Sequence, residues 1–524
     1  MHARLTLAAS LLFAIACPCA LAAEHPATAH DTSAATQHAA RAFEQAKADG
    51  PLALHAFLYR MPKGGDLHNH LAGAIYAETW IRDAGEDHLC VDPQKLAFAA
   101  PIHDTTCAEG QVPAASVPAN QHLYDALIDA FSMRTFVPRT ADSGHDQFFD
   151  TFDAFRGTSR RHLGEWLDEV ATRAAAQNEQ YLELMDTPDF SATAQLAAPL
   201  AKELEAEHPD YAALRQRMVD GGVRSNLAGI RSDLDAAEAD RRRIEHCGQA
   251  DAQPACKVEI RYIYQILRAL PPAVVFAQVV QGFEVMASDP RWVGMNFVQP
   301  EDNYAAMTHY NAQMHMLAAL RPLYPGSHLS LHAGELAPGM VTPDGLTFHI
   351  REAVEVAGAE RIGHGVDVMY EDRPYDLLKE LAAKHVMVEI NLTSNDVILN
   401  IKGEDHPLQL YRKYGVPVAL STDDEGVSRI DLTHEFVRAA VTYPLTYDDL
   451  KQMARTSIEH SFLPGESLWQ KTLPETLDRP VAACTGQLGE ETPHGACADF
   501  LSKSEKAQQQ WQLEQRFHIF EASF

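Results

Sequence analysis

Short apolar runs alternate with longer stretches of helical periodicity along most of this chain. Eight of the runs have the length and residue content of buried strands. They cover residues 64–71, 181–186, 258–266, 293–298, 328–335, 361–366, 386–393 and 416–424. Because alternating strands and helices build parallel β/α units, eight such units predict an α/β fold, a (β/α)8 TIM-type barrel. An open doubly wound sheet is the alternative, but no glycine-rich phosphate loop follows the first run.

Two connections between these runs are too long for single crossover helices. The first holds Cys90 and Cys107, and we expect an inserted subdomain at 86–125 that a disulfide fastens. Beyond about residue 466 the pattern changes to loop, with a closing polar helix at about 498–517. The predicted organisation is a helical extension at 23–55, a barrel at 56–465 and a C-terminal extension at 466–524.

The N-terminus has the pattern of a signal peptide at 1–22. His2 and Arg4 precede an apolar run, and Ala20-Leu21-Ala22 is an A-x-A cleavage signal. The alternatives are a buried first helix and, at Cys17, a lipoprotein-like signal. We expect export to the periplasm or the medium, with cleavage near Ala22 and no membrane span in the mature chain.

Six cysteines remain after such a cleavage, in three close pairs. An exported protein meets an oxidising compartment, which favours disulfides over free buried thiols. Nearest-neighbour spacing alone suggests the pairs Cys90–Cys107, Cys247–Cys256 and Cys484–Cys497, although six cysteines allow many other connectivities.

The net charge of the chain restricts the classes of partner that it can bind. The chain of 524 residues has 43 basic and 72 acidic residues and a formal net charge of -29. Such a surface repels phosphate backbones, so we expect no general binding of nucleic acid.

Polar residues collect at the carboxyl ends of four of the eight runs, where a β/α barrel places its catalytic groups. They are His68 and His70, His332 and Glu335, His364, and Asp423 and Asp424. In His68-Asn69-His70, strand alternation directs both imidazoles to one face. Any one of these motifs is compatible with an ordinary turn or a capped strand end. Together, on four different strands, they predict a metal site.

Zinc prefers nitrogen, sulfur and carboxylate ligands. We therefore predict that His68, His70, His332 and Asp423 hold one Zn2+ per chain. Glu335 is placed to move a proton at the substrate. His364 can hold or deprotonate an attacking water, and Asp424 can accept a hydrogen bond from the substrate.

This set of motifs resembles the adenosine deaminase family. MPKGGDLHNHLAGA, HAGE, RIGHG, EINLTSN and STDDEGV are similar to the family motifs of the first, fifth, sixth, seventh and eighth strands. The signal peptide, the M-P-K-G lead-in and the cysteine-bearing insertion are more similar to the secreted branch, the adenosine deaminase-related growth factors.

The resemblance implies hydrolytic deamination of adenosine or 2′-deoxyadenosine at purine C6, giving inosine (or its deoxy form) and ammonia. It also implies a homodimer built with N-terminal helices. The predicted ligands match the zinc ligands of the family. Glu335 matches the acid that protonates purine N1, His364 the histidine beside the attacking hydroxide, and Asp424 the carboxylate facing N7. Phe148, Phe149, Phe152 and Phe155 lie where the family has an apolar helix over the substrate, but their spacing also suits a helix-core stripe.

One stretch departs from the family. NFVQPED, residues 296–302, stands where a D-L-x-G-x-E-like motif is usual. Gln299 stands at the position of the glycine that approaches purine N3, Asn296 at that of the aspartate, and Glu301 aligns with the acidic residue. The alternatives therefore include a deaminase of another aminopurine, a modified adenosine or a nucleotide. Another amidohydrolase-type enzyme and a binding protein on an inactive barrel also remain, although VGMNFVQ lacks the fourth-strand lysine of many amidohydrolases.

Overall fold

The computed structural model of the protein describes residues 34–138 and 143–524. The predicted signal peptide at 1–22 lies outside the described residues. Within them, no helix combines the length and the apolar character that crossing a membrane requires.

All eight predicted strands are present. The strands, numbered in chain order, are β1 (Gly64–His70), β2 (Cys90–Asp92), β3 (Ala97–Ala99), β4 (Val112–Pro113), β5 (Glu179–Asp186), β6 (Glu259–Leu267), β7 (Trp292–Val298), β8 (Ser330–Ala333), β9 (Arg361–His364), β10 (Met387–Ile390) and β11 (Val418–Leu420). The predicted run at 386–393 extends beyond β10 because a helix begins at Leu392, and the run at 416–424 extends beyond β11 because that strand ends at Leu420.

Eight of the strands form two parallel sheets, in the orders β1-β5-β6-β7 and β8-β9-β10-β11. Parallel bridges from Met295 to Leu329 and from Asn69 to Asp423 connect the sheets at both junctions. At the second junction His70 N donates to the Asp423 carbonyl at 3.0 Å, and Asp423 N donates to the His68 carbonyl at 2.8 Å. The eight strands thus have the order of a TIM-type barrel, and the open-sheet alternative is wrong.

The α-helices cover the outside of the strands and build both extensions. They are α1 (Ala34–Asp49), α2 (Pro51–Arg60), α3 (Leu71–Ala74), α4 (Ala77–Glu86), α5 (Gln121–Ala130), α6 (Gly144–Ala154), α7 (Leu163–Ala176), α8 (Ser191–Ala197), α9 (Ala201–Leu204), α10 (Tyr211–Asp220), α11 (Leu227–Ile244), α12 (Pro272–Ser288), α13 (Tyr304–Leu320), α14 (His349–Glu352), α15 (Pro374–Lys384), α16 (Leu392–Leu399), α17 (Leu408–Tyr414), α18 (Glu425–Ser428), α19 (Leu432–Thr442), α20 (Tyr447–Glu459), α21 (Gly495–Leu501) and α22 (Glu505–Glu521).

The three predicted disulfides are all present in the structure: Cys90–Cys107, Cys247–Cys256 and Cys484–Cys497. The first joins β2 to the loop before β4, within a small antiparallel sheet of β2, β3 and β4. The limits of the insertion at 86–125, and the other domain limits, stay predictions.

The expected single closing helix at 498–517 is wrong, because two helices, α21 and α22, occupy this region. Ser504 separates them. Its hydroxyl accepts a hydrogen bond from Ala507 N at 3.0 Å, which caps the amino end of the second helix.

Candidate active site

Three imidazole nitrogens and one carboxylate oxygen converge at the carboxyl ends of the strands. His332 Nε2 lies 3.2 Å from His68 Nε2 and 3.3 Å from His70 Nε2. Asp423 Oδ1 lies 3.4 Å and 3.1 Å from the same two nitrogens of His68 and His70. Four tetrahedral ligands at ~2.0–2.1 Å from a zinc ion are separated from one another by about 3.3 Å. These four separations, of the six among the predicted ligand atoms, therefore match those expected around a tetrahedral metal ion.

The other ring nitrogen of each histidine has an acceptor. His68 Nδ1 contacts Glu389 Oε2 at 2.6 Å, His70 Nδ1 contacts Gln265 Oε1 at 2.8 Å, and His332 Nδ1 contacts Asn296 Oδ1 at 2.9 Å. An acceptor at Nδ1 holds the proton there and leaves the Nε2 lone pair free. Three buried lone pairs and a carboxylate that face one another repel unless a cation lies between them. The donor set thus fits zinc, and it also accepts other divalent ions.

The strand geometry explains why these residues meet. His68 and His70 are two residues apart on β1, so their rings share one side. Asp423 follows β11 with φ 63, and His364 ends β9 with φ 70. Residues other than glycine rarely adopt this left-handed conformation, and such residues cluster at functional sites.

Asn69, between the two histidines, points to the other side of β1. Its amide donates to Thr422 Oγ1 and to Glu425 Oε1, each at 3.1 Å. Thr422 in turn donates to Asp66 Oδ2 at 2.5 Å. These contacts hold β1 against the segment after β11 and thereby fix the separation of the histidines from Asp423. No local sequence signal indicates these roles of Asp66 and Asn69, because their partners lie some 350 residues away in the chain.

Glu335 lies beside the ligand cluster, and a second carboxylate orients its backbone. Glu301 accepts hydrogen bonds from Glu335 N at 2.7 Å and from Gly334 N at 3.1 Å, and it also pairs with the buried His349. Burial tends to raise the pKa of Glu301, but His349, the charge of Arg268 and the hydrogen bond from Glu335 N together lower that pKa to about 2. For Glu335 the balance is opposite, since burial, followed by the charges of Asp423 and Glu301, raises its pKa well above the usual value. A cation at the centre would offset part of the Asp423 contribution.

His364 and Asp424 complete the predicted set. His364 Nε2 lies 3.6 Å from Glu335 Oε1 and 4.0 Å from Asp423 Oδ2. The Asp424 carboxyl is buried, and its Oδ1 makes no hydrogen bond within the described residues. Burial raises the pKa of Asp424 to about 8, with a further contribution from Asp423 that His70 opposes. Asp424 is therefore suited to carry a proton at neutral pH.

The departure at 296–302 has a structural explanation. Asn296 Oδ1 accepts from the His332 backbone at 2.8 Å as well as from its ring, so an amide oxygen there orients a ligand. Gln299 has φ 85, a backbone conformation that glycine adopts freely. Its side-chain oxygen accepts from Ala269 N at 3.0 Å and is thus bonded to the neighbouring loop. A substrate contact by Gln299 stays a prediction.

The four phenylalanines of the 148–155 stretch divide into two pairs. Phe148 and Phe155 are buried in the main core, and Phe155 stacks on Trp80. Phe149 and Phe152 are only partly buried. The burial of Phe148 is compatible with the core-stripe interpretation, and substrate binding by Phe148 and Phe152 stays a prediction.

A chain of buried charges extends from His68 into the barrel interior. Glu389 contacts His68 through Oε2 and lies 2.7 Å from Arg361 Nε through Oε1. The opposite side of the guanidinium contacts Glu183 at 2.6 Å. All four side chains have zero solvent exposure. The sequence pattern does not predict the roles of Glu389 and Glu183, because each occupies a polar position of a kind common in strands.

Replacing Glu389 with glutamine is expected to weaken metal binding by about 10–100-fold. The neutral amide would accept a weaker hydrogen bond from His68 Nδ1 than the carboxylate does and would lower the basicity of Nε2. Competition with a chromogenic chelator would measure the affinity. Ser330→Ala, which removes only the hydroxyl bonded to Glu389 Oε1 at 2.8 Å, is the matched control with a smaller expected loss. Unchanged affinity in the Glu389 variant would show that this carboxylate does not tune the ligand.

Comparison with known proteins agrees with this geometry. The model of the family described as "Adenosine deaminase" matches residues 117–478, a range that begins after His68 and His70. The adenosine deaminase of Clostridium perfringens (strain 13 / Type A) is 37% identical over 145 residues, which are 27% of this chain and 40% of the relative. That of Salmonella schwarzengrund (strain CVM19633) is 27% identical over 260 residues, which are 49% of this chain and 66% of the relative. The matches thus span less than two thirds of either relative.

Among solved structures, that of arabidopsis ADAL complexed with GMP has a TM-score of 0.50 at 18% identity. The similarity covers 78% of this chain and 94% of that one, and it concerns the fold alone. The family match extends over more than half of the chain and contains His332, Glu335, His364, Asp423 and Asp424. This protein belongs to the adenosine deaminase family.

Proposed function

We propose that this protein is a zinc-dependent deaminase of adenosine and 2′-deoxyadenosine, which replaces the 6-amino group of the purine by oxygen and releases ammonia. The observation that carries the proposal is the convergence of three imidazole Nε2 atoms and one carboxylate oxygen beside a buried Glu335. When bound, the divalent ion would supply Lewis-acid activation of the attacking water. The remaining chemistry falls to side chains of the chain itself.

Glu335 is the proton donor to purine N1 in this proposal. Its raised pKa keeps a proton available, and the Glu301 contact fixes the backbone from which it reaches the substrate. Protonation of N1 makes C6 a better electrophile for water. Of the two protons of the water, one replaces the proton that Glu335 gave to N1, and the other leaves with the amino group as ammonia.

Asp424 fits recognition of purine N7 as a protonated carboxyl, whereas the sequence leads us to expect a carboxylate. Purine N7 is an acceptor, so a carboxylate facing it would repel it, whereas a protonated carboxyl donates a hydrogen bond. The raised pKa of Asp424 favours the protonated form. In this proposal Asp424 therefore donates a hydrogen bond to N7, in place of the acceptor role expected from the sequence.

Gly73→Ala is expected to lower kcat/KM about 10²-fold through Asp424. A Cβ at residue 73 would lie 1.6 Å from Asp424 Oδ1, so the carboxyl would have to move by more than an ångström, and a displacement of about 1 Å can already cost this much. Metal affinity is expected to stay unchanged. The matched control is Ala72→Ser at the neighbouring exposed residue. Equal kcat/KM values for the two variants would contradict the placement of Asp424 against the substrate.

A substrate panel tests the proposal. Purified protein saturated with zinc would be incubated with adenosine, 2′-deoxyadenosine, adenine and AMP, and released ammonia would be measured together with the purine spectrum. Turnover of the two nucleosides is the expected result. Turnover of adenine or AMP alone would assign the site to another aminopurine and would implicate 296–302 in the altered choice. Failure on all four with zinc bound would contradict purine deamination.

Export, membership of the growth-factor-like branch and a homodimer are parts of the same proposal. The residue pattern of 1–22 and the three disulfides support export. The N-terminus of the mature protein would test export with cleavage, and its mass in solution would test the homodimer. A mature chain that begins near residue 23 is expected, and an intact Met1 in the exported fraction would contradict cleavage.

A further inference from the structure

A row of buried hydrogen bonds leads from a backbone amide to His364. Leu408 N donates to His406 Nδ1 at 3.2 Å. The other ring nitrogen, His406 Nε2, lies 3.0 Å from Asn395 Oδ1. The amide nitrogen of Asn395 lies 2.9 Å from His364 Nδ1. His406, Asn395 and His364 are all buried, so water does not compete for these groups.

The backbone end of this row fixes the direction of every bond. A peptide N–H can only donate, so His406 Nδ1 must accept and the proton of the neutral ring lies on Nε2. Burial, with a smaller effect of Arg438, lowers the pKa of His406 to about 3, so the ring stays neutral. His406 Nε2 then donates to Asn395 Oδ1, which leaves the Asn395 NH2 group as the donor to His364 Nδ1. The amide of Asn391 donates to the same atom from 3.4 Å.

His364 therefore receives hydrogen bonds at Nδ1 and carries its own proton on Nε2, the atom that faces the metal centre. This tautomer differs from that of the three metal ligands, whose Nδ1 atoms contact acceptors. His364 Nε2 makes no hydrogen bond within the described residues. It lies 3.6 Å from Glu335 Oε1 and 4.0 Å from Asp423 Oδ2, so an N–H at this atom is next to the Glu335 carboxyl and the predicted metal ligands.

We propose that Asn395 and His406 are positioning residues that hold His364 in its Nε2–H tautomer, so that His364 donates a hydrogen bond to the attacking oxygen and does not accept its proton. This inference rests on the proposed function for the identity of that oxygen. The tautomer itself depends only on the hydrogen bonds. It resolves the two roles that the sequence leaves open for His364 in favour of holding the water.

The test uses 15N-histidine NMR on the zinc-loaded protein, with His364→Gln to assign the His364 signals. The proton on Nε2 is the expected result for the native protein. Asn395→Asp replaces the donor by an acceptor of the same shape and is expected to move the proton to Nδ1. It is expected to lower kcat about 10²-fold or more, because a wrong histidine tautomer can cost up to about 10⁴-fold. KM and zinc affinity are expected to change less than threefold.

His406→Gln is the matched control, because its amide can still donate to Asn395 Oδ1. It is expected to retain the Nε2–H tautomer and kcat within about tenfold, whereas His406→Leu is expected to lose both. Thermal unfolding would confirm that each variant folds. A proton on Nδ1 of His364 in the native protein, or an unchanged tautomer in Asn395→Asp, would overturn the proposal. Because the NMR result needs no turnover, it decides this question even if no purine is deaminated.

Discussion

Replacing Glu335 with glutamine is expected to lower kcat on adenosine by about 10²–10⁴-fold, the usual contribution of a general acid or base. Glutamine has nearly the same shape, but its amide cannot give a proton to purine N1 and recover one from water. The backbone contact from residue 335 to Glu301 does not involve the side chain, so the local structure should persist. Initial rates of ammonia release at saturating adenosine would measure the effect.

The control for this prediction is the metal content. Zinc bound per chain, measured by atomic emission, should be the same in the native protein and in Glu335→Gln, because Glu335 is not among the four converging ligands. A variant that keeps its zinc and retains kcat within a factor of about three would remove Glu335 from the chemistry. Loss of zinc together with loss of activity would instead make Glu335 part of the metal centre.

Arg361→Met is expected to destabilise the folded protein by about 3–5 kcal/mol, the cost of removing one partner of a buried ion pair. The guanidinium is fully buried between Glu183 and Glu389, with its Cζ atom 3.9 Å from the Phe462 ring centre. Methionine fills much of the space but leaves two buried carboxylates without their cation. Urea unfolding of the metal-free protein would measure the free energy without a contribution from zinc binding.

The comparison variant is Arg156→Met, which removes an exposed arginine paired with Asp153 at the surface. Exposed pairs of this kind contribute about 0–1 kcal/mol, so a small change is expected. If Arg361→Met cost no more than Arg156→Met, the interior charges would have to be protonated or solvated, and the row from Glu183 to His68 would not be ionic.

The sequence predicts the barrel because short strand-like runs alternate with helical stretches, and such alternation builds parallel β/α units. The site is predictable for a related reason: parallel strands bring their carboxyl ends together, so His68, His332, Glu335 and Asp423 meet despite their distance along the chain. The three disulfides could be predicted because the two cysteines of each pair are close in sequence. These features depend on local pattern and topology alone.

Other features needed the three-dimensional structure. The carboxylates of Glu183 and Glu389 alternate with apolar residues as any polar strand position does, and only the fold brings Arg361 between them. The glycine-like backbone of Gln299 has no signature in the residue itself. The raised pKa of Asp424 depends mainly on its burial, which the fold alone determines. The break at Ser504 depends on a capping bond that competes with the polar helical pattern.

The measurement that tests the central claim most directly is a zinc titration of the chelated, metal-free protein, with adenosine deamination followed at each addition. Activity is expected to be absent without metal and to rise linearly up to one zinc ion per chain. His332→Ala removes the Nε2 atom that contacts Nε2 of both His68 and His70. This variant should neither bind zinc tightly nor regain activity. Full deamination by the metal-free protein, or zinc bound at one ion per chain with adenosine unchanged, would contradict a metal-dependent adenosine deaminase.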